Sequence, residues 1–230
     1  QASVGMIIVA GTTVEGSAAC VAMANREPNL FAGIGIHPMD LTGPVDEATY
    51  EQLRALALDS YRVVAVSEIG LDLQETSPEP SIQYQALRAQ IQLARELRLP
   101  IIFHSREHAE NPGGHREVLR LLREERAWEV GGVMHYFQAN ASVARECMDL
   151  GFLISLSKLL LRMPHLQELA RELPLEALVL ETDSYPQYFK KQREAWTEPK
   201  DVQLVAQKLA WVKGLTIEEV ITATTLNMLK

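Results

Sequence analysis

The sequence predicts an α/β protein of the (β/α)8 TIM-barrel class, with the first strand apparently absent from the residues given. Two observations lead there. β-branched and apolar runs alternate with amphipathic helical patterns along all 230 residues, which is the pattern of a parallel sheet. Four of these runs, Val63 to Asp72, Pro100 to Ser105, Gly131 to Phe137 and Ala177 to Ser184, end in residues that bind metals or move protons. An open doubly wound sheet gathers its ligand at one switch point, usually behind a glycine-rich turn, whereas a barrel draws site residues from the C-terminal ends of several strands.

Seven strand-like runs follow in order: Gly5 to Ala10, Phe31 to His37, Val63 to Asp72, Pro100 to Ser105, Gly131 to Phe137, Gly151 to Ser157 and Ala177 to Ser184. Their near-continuous apolar character is that of strands buried on both faces. The segment Gln83 to Leu97 sets Leu87, Ile91, Ala94 and Leu97 three and four residues apart, a single apolar stripe with Arg88, Gln92, Arg95 and Glu96 off it, and so predicts a helix covering the sheet. Glu47 to Ala57, Arg116 to Glu125, Ser142 to Leu150, Leu166 to Leu173 and Val202 to Val212 repeat the pattern, and Leu215 to Leu229 opens with a capping box, Thr216 and Glu219. Pro100 and Pro174 stand between helix and strand, where they stop a helix without costing a ladder bond. A barrel of this type closes with eight strands. The series is already running at Gly5, so a strand and helix of roughly 20 to 30 residues are expected ahead of Gln1. The expectation is one barrel domain over residues 1–230.

Glu75 to Ser81 and Glu110 to Gly114 read as loops on the strand-end side, and Tyr185 to Thr197 as a polar, aromatic-bearing loop suited to contact substrate. With a formal charge of -8 and pI near 5.3, the surface is unsuited to broad capture of nucleic acid, which needs a basic face. It leaves room for a nuclease whose positive charge comes from bound cations. No apolar stretch is long enough to span a bilayer and no leader pattern opens the chain. Cys20 and Cys147 lack paired spacing, so reduced thiols and a cytoplasmic location are expected. No obligate protein partner is evident.

Glu68 interrupts an apolar run. A carboxylate is rarely buried unpaired, so it calls for a cation, either a metal or an Arg or Lys partner. His104 and His135 end successive runs. One such histidine alone is more often a core residue, but two on neighbouring strands with Glu68 before and Asp183 after suit a metal centre. The expected metal ligands are therefore Glu68, His104, His135 and Asp183, converging on one pocket. Asp183 is also the expected general base, with Glu68 beside it in the chemistry. Alternation along a strand puts Glu181 on the face of Asp183, where it orients a ligand or holds a neighbouring basic group. His37, before Pro38, and Arg106, just past His104, are candidate contacts to an anionic substrate. Lys158 is a weaker one. His108, His115 and His165 read as surface residues.

Five motifs now stand in order: Gly35-Ile36-His37-Pro38, Glu68-Ile69-Gly70-Leu71-Asp72, Ile102-Phe103-His104-Ser105-Arg106, Met134-His135-Tyr136-Phe137 and Glu181-Thr182-Asp183. Through them the chain resembles the TatD family of metal-dependent deoxyribonucleases, among the amidohydrolase-like barrels. The resemblance implies a 3′-to-5′ exonuclease on DNA or another phosphodiester, with two divalent metal ions (Mg, Mn or Zn). Glu68 would be shared between the metals, with His104 and His135 on one and Asp183 on the other. The chain departs from the family in three places. It has no His-x-His pair, it carries Gln138-Ala139-Asn140 where a Ser-Gly-type turn is usual, and it reads Thr197-Glu198-Pro199 in place of Asn-Glu-Pro. Two other readings stand beside the nuclease: an amide or ester hydrolase on the same barrel positions, and a non-catalytic relative that binds a partner or nucleotide.

Overall fold

Strands and helices alternate from end to end in the computed structural model, which describes residues 4–108, 110, 112–187, 192–193 and 196–229. In order they are β1 (Ile7–Ala10), α1 (Val14–Ala24), β2 (Leu30–Ile34), α2 (Glu47–Asp59), β3 (Val63–Asp72), α3 (Pro80–Leu97), β4 (Ile101–Arg106), α4 (Gly114–Glu124), β5 (Gly132–Met134), α5 (Ala141–Asp149), β6 (Phe152–Leu156), α6 (Pro164–Glu172), β7 (Leu178–Leu180), α7 (Val202–Lys213) and α8 (Ile217–Met228). Each of the seven runs read from the sequence overlaps one of the strands, with β2 starting one residue before its run and β4 ending one residue after its run. The chain gathers into two units, one from Gly5–His135 with Asp149–Phe152, the other mainly from Tyr136–Met148 and Leu153–Lys230.

In the first unit β1 to β5 pair in chain order, every pairing parallel. Successive parallel strands need a crossover, and helices supply it. The stripe on α3 holds as read: Leu87, Ile91 and Ala94 are fully buried. Pro80 opens that helix, where its missing N–H costs nothing, and Arg98 closes it in the left-handed region at φ 54°. Beneath the helices lie Val66, Ile69, Leu71, Ile101 and Phe103, with Phe103 edge-on to Phe152 at 5.4 Å between ring centres. In the second unit β6 and β7 pair parallel, and Leu166, Leu178, Val205, Leu209 and Val220 form its buried apolar interior. The capping box on α8 is present: the Thr216 hydroxyl accepts from Glu219 N at 3.2 Å and the Glu219 carboxylate accepts from Thr216 N at 2.8 Å. Among the described residues no helix is long and apolar enough to cross a membrane.

Sequence periodicity misses α1. Its residues, VEGSAACVAMA, are mostly small and give little contrast between faces, yet Thr13 caps it by accepting from Gly16 N at 3.0 Å. Several strands also stop earlier than the apolar runs do. β2 ends at Ile34, β5 at Met134 and β7 at Leu180. His37, His135 and the stretch from Glu181 to Asp183 therefore sit in the turns beyond, with Tyr136 and Asp183 both in the left-handed region at φ 48°. The alternation used to put Glu181 and Asp183 on one strand face does not apply, because neither residue is in the strand. Gly114 begins α4 and is no loop residue. His115 is half-buried, its Nδ1 2.7 Å from the Ser105 hydroxyl, which corrects its reading as a surface residue. His108 is also partly enclosed, while His165 is exposed as read. Residues 188–191 and 194–195 of the Tyr185 to Thr197 loop, and Asn111 of the Glu110 to Gly114 loop, lie outside the described residues.

Candidate metal centre

Three imidazoles face one carboxylate oxygen. Glu68 Oε1 lies 3.3 Å from His104 Nδ1, 3.5 Å from His135 Nε2 and 3.9 Å from His37 Nε2. The backbone explains how the carboxylate reaches them. The β3–β4 register shifts between Val66 and Ile69, and such a bulge re-aims the side chain at the break. The Glu68 N–H leaves the ladder and donates to Gly11 O at 3.3 Å, at the end of β1. Gly70 then brings β4 against β3. It stands opposite His104 at φ 148°, and a Cβ there would lie 1.9 Å from the His104 carbonyl oxygen, so only glycine permits that approach.

His104 is gripped from both sides. Its Nε2 lies 3.0 Å from Asp72 Oδ2 and its Nδ1 faces Glu68. Asp72 is 2% exposed. Its other oxygen accepts from Ser77 Oγ at 2.8 Å and Gln74 N at 3.2 Å, while Gln83 clamps its backbone N–H and C=O at 2.8 Å each. Burial pushes the Asp72 carboxyl up, but the bonds from His104 and Ser77 prevail and hold it at about 2. An ionised carboxylate only accepts, so His104 Nε2 donates to it and the lone pair of the neutral ring falls on Nδ1, toward Glu68. Burial likewise opposes ionisation of Glu68, and the imidazoles of His135, His104 and His37 outweigh it, holding Glu68 at about 2. For His104 the balance runs the other way. Burial lowers its pKa, the bonds to Asp72 and Glu68 raise it more, and the net shift is upward.

His37 is held differently. Its Nδ1 accepts from Met39 N at 3.2 Å, and burial lowers its pKa. In the neutral ring the proton is then on Nε2, pointed at Glu68, which makes His37 a donor and leaves no lone pair there for a cation. Glu68, His37 and His104 nonetheless form a donor group with all three ligand atoms within 4.8 Å of one another. An ionised carboxylate and an imidazole locked with its lone pair inward suit a divalent cation. Two buried polar side chains hold the β2 turn that carries His37. Gln90 binds both Ile36 N and Ile36 O, at 2.7 and 3.2 Å, and the Ser17 hydroxyl binds both Gly35 N and Gly35 O, at 3.0 and 3.1 Å.

Arg106 closes β4 as an exposed residue, two positions beyond His104. Glu181 and Asp183 belong to the second unit. Glu181 Oε2 accepts from Tyr136 N at 3.2 Å and from the Ser155 hydroxyl at 2.5 Å, which pins the turn after His135. It braces backbone and holds no basic side chain in those two bonds. Asp183 is exposed and lines a cavity of about 390 Å³ with Tyr136, Lys158, Arg162, Tyr185 and Thr197 among its neighbours. Asp72 and Gln90 were missed as parts of the site. Asp72 was legible only as the last letter of a motif, and nothing in spacing tied Gln90 to the His37 turn.

The family of TatD-related DNases matches residues 1–230. A metal-dependent hydrolase of Bacillus subtilis, YabD, is 37% identical over 207 residues, covering 86% of this chain and 75% of that protein. The human deoxyribonuclease TATDN3 is 34% identical, covering 86% and 72% respectively. The crystal structure of YjjV, a TatD homologue from Escherichia coli, superposes on 99% of this chain and 86% of its own with a TM-score of 0.84 at 28% identity. That likeness extends the expected α/β barrel class to nearly the whole chain. By sequence and fold together, the chain belongs to the TatD-related DNases and is a metal-dependent hydrolase of that family.

Proposed function

We propose that this chain hydrolyses phosphodiester bonds in DNA, using two divalent cations bound by Glu68, His104, His135 and Asp183. One observation carries the reading: three imidazoles ring an ionised Glu68, with Asp72 turning the His104 lone pair inward. A centre of that composition, when filled, lowers the pKa of a water molecule and neutralises charge on a phosphoryl group. Glu68, His104, His135 and Asp183 would hold the cations. Asp183, open to solvent, would accept a proton from water as general base. His37, with its Nε2 proton directed inward, donates to a phosphoryl oxygen, and Arg106 pairs with a neighbouring anionic group of the substrate. The human relative's name as a deoxyribonuclease supports DNA as substrate. The family match over residues 1–230 supports a single hydrolase domain, and the two free cysteines suit a cytoplasmic enzyme.

The test is cleavage of an end-labelled oligonucleotide with Mg or Mn, beside a simple amide or ester. Activity on the oligonucleotide alone is expected, abolished by chelator and reduced at least 100-fold in Glu68→Gln and Asp183→Asn, on the scale of a lost acid–base group. Undiminished cleavage in chelator would overturn the reading, and undiminished cleavage by Asp183→Asn would remove that residue from its role.

A further inference from the structure

The cavity beside Asp183 holds two cationic side chains in different states. Lys158 Nζ lies 2.7 Å from Asp201 Oδ2 and 3.5 Å from the Thr197 hydroxyl. Asp201 itself answers Glu198 N at 3.2 Å in the capping box that leads into α7. Lys158 is thus committed, its charge compensated and its stem a strut between the turn after β6 and the α7 entry. Arg162, at the end of that same turn, is exposed and lines the cavity, and among the described residues no ion pair to its guanidinium is found. Its charge is felt inside: Arg162 pulls the pKa of the Tyr136 hydroxyl down while burial and then Asp183 push it up, the net shift being upward.

A cavity of about 390 Å³ is near the lower end of the roughly 300–1,000 Å³ usual for small-ligand sites. It takes one nucleotide-sized group. Two phenol rings, Tyr136 and Tyr185, line it, and base–aromatic stacking is worth about 1–3 kcal/mol per base. An uncommitted guanidinium is the side chain best matched to phosphate, because its fork of donors meets two oxygens at once.

We infer that Arg162 is the substrate-recognising residue of this cavity, gripping a phosphate of the substrate while Tyr136 and Tyr185 contact the attached base. Arg162 in that role deepens the phosphodiesterase reading and rests on it. Lys158 contributes by holding the turn in place, so the two cations are not equivalent.

The experiment measures binding of dAMP and of a short phosphorothioate oligonucleotide to the whole chain in chelator, so that no signal passes through cations. Wild type, Arg162→Ala and Arg162→Lys are compared over a range of salt, with circular dichroism as a check on folding. Arg162→Ala is expected to weaken both probes about tenfold and to lower the oligonucleotide salt slope by about 0.7, the value for one phosphate contact on a single strand. Arg162→Lys should recover the slope and only part of the affinity. Equal affinity and slope in Arg162→Ala, or no binding of either probe by the wild type, would overturn the assignment. A wild type that binds through Arg162 but cleaves no phosphodiester with metal restored would sink the hydrolytic reading and leave the anion site standing.

Discussion

Asp72 fixes His104: the carboxylate oxygen and the ring Nε2 are 3.0 Å apart, at the end of β3 and within β4, and the other ring nitrogen is left facing Glu68. Replacing Asp72 with Asn removes the charge that decides which nitrogen carries the proton. Partners of this kind typically matter 10- to 100-fold for metal affinity, and a loss of about that size is expected by calorimetry with Mn or Zn in Asp72→Asn. Wild-type affinity in the variant would show that Glu68 alone orients the ring.

The same geometry makes metal uptake depend on pH. Without metal, His104 is held protonated to higher pH than an ordinary histidine, because the bonds to Asp72 and Glu68 outweigh the burial that lowers its pKa. A cation held by His104 would have to displace that proton from Nδ1. Affinity should therefore rise with pH through the raised His104 pKa and level off above it, with proton release detected in buffers of different ionisation enthalpy. In Asp72→Asn the rise should move to lower pH. Affinity flat from pH 6 to pH 9 would contradict the linkage.

Gly70→Ala tests the close approach of β3 and β4. The added Cβ would meet the His104 carbonyl oxygen at 1.9 Å on a backbone at φ 148°, a clash and a dihedral penalty at once. Destabilisation of more than about 3 kcal/mol is expected, read as a large fall in Tm or loss of soluble protein. A variant with wild-type Tm would mean that β4 can shift freely, and that His104 is less fixed than the structure has it.

Gln90→Leu keeps the side-chain volume but strands the Ile36 N–H and C=O that Gln90 now binds. Leaving buried backbone groups unmet costs about 1–3 kcal/mol, equivalent to a Tm fall of roughly 2–12 °C in a chain of this size. Because the turn carries His37, KM for the oligonucleotide should rise as well. A fall in Tm with unchanged KM would separate His37 from substrate binding.

The alternation of strands and helices, the stripe on α3, the α8 capping box and the grouping of Glu68 with His104 and His135 were legible in the linear sequence. Each rests on local chemistry: buried parallel strands are apolar throughout, a covering helix repeats every three or four residues, and an ionisable residue within such a run stands out. α1 was not legible, since Ala, Ser and Gly give no contrast between its faces.

What the tertiary structure alone decided is where strands end and which atoms face which. The runs around His37, His135 and Asp183 read as strand because apolar composition continues past the last ladder bond, while backbone turns, two of them at φ 48°, had already left the sheet. That Asp72 grips His104, that His37 offers a proton and not a lone pair, and that Lys158 is spoken for by Asp201 while Arg162 remains exposed depend on partners 2 to 43 residues apart in the chain. Sequence order fixes composition and period. Hydrogen-bond direction is set by whichever distant group the folded backbone brings within about 3 Å.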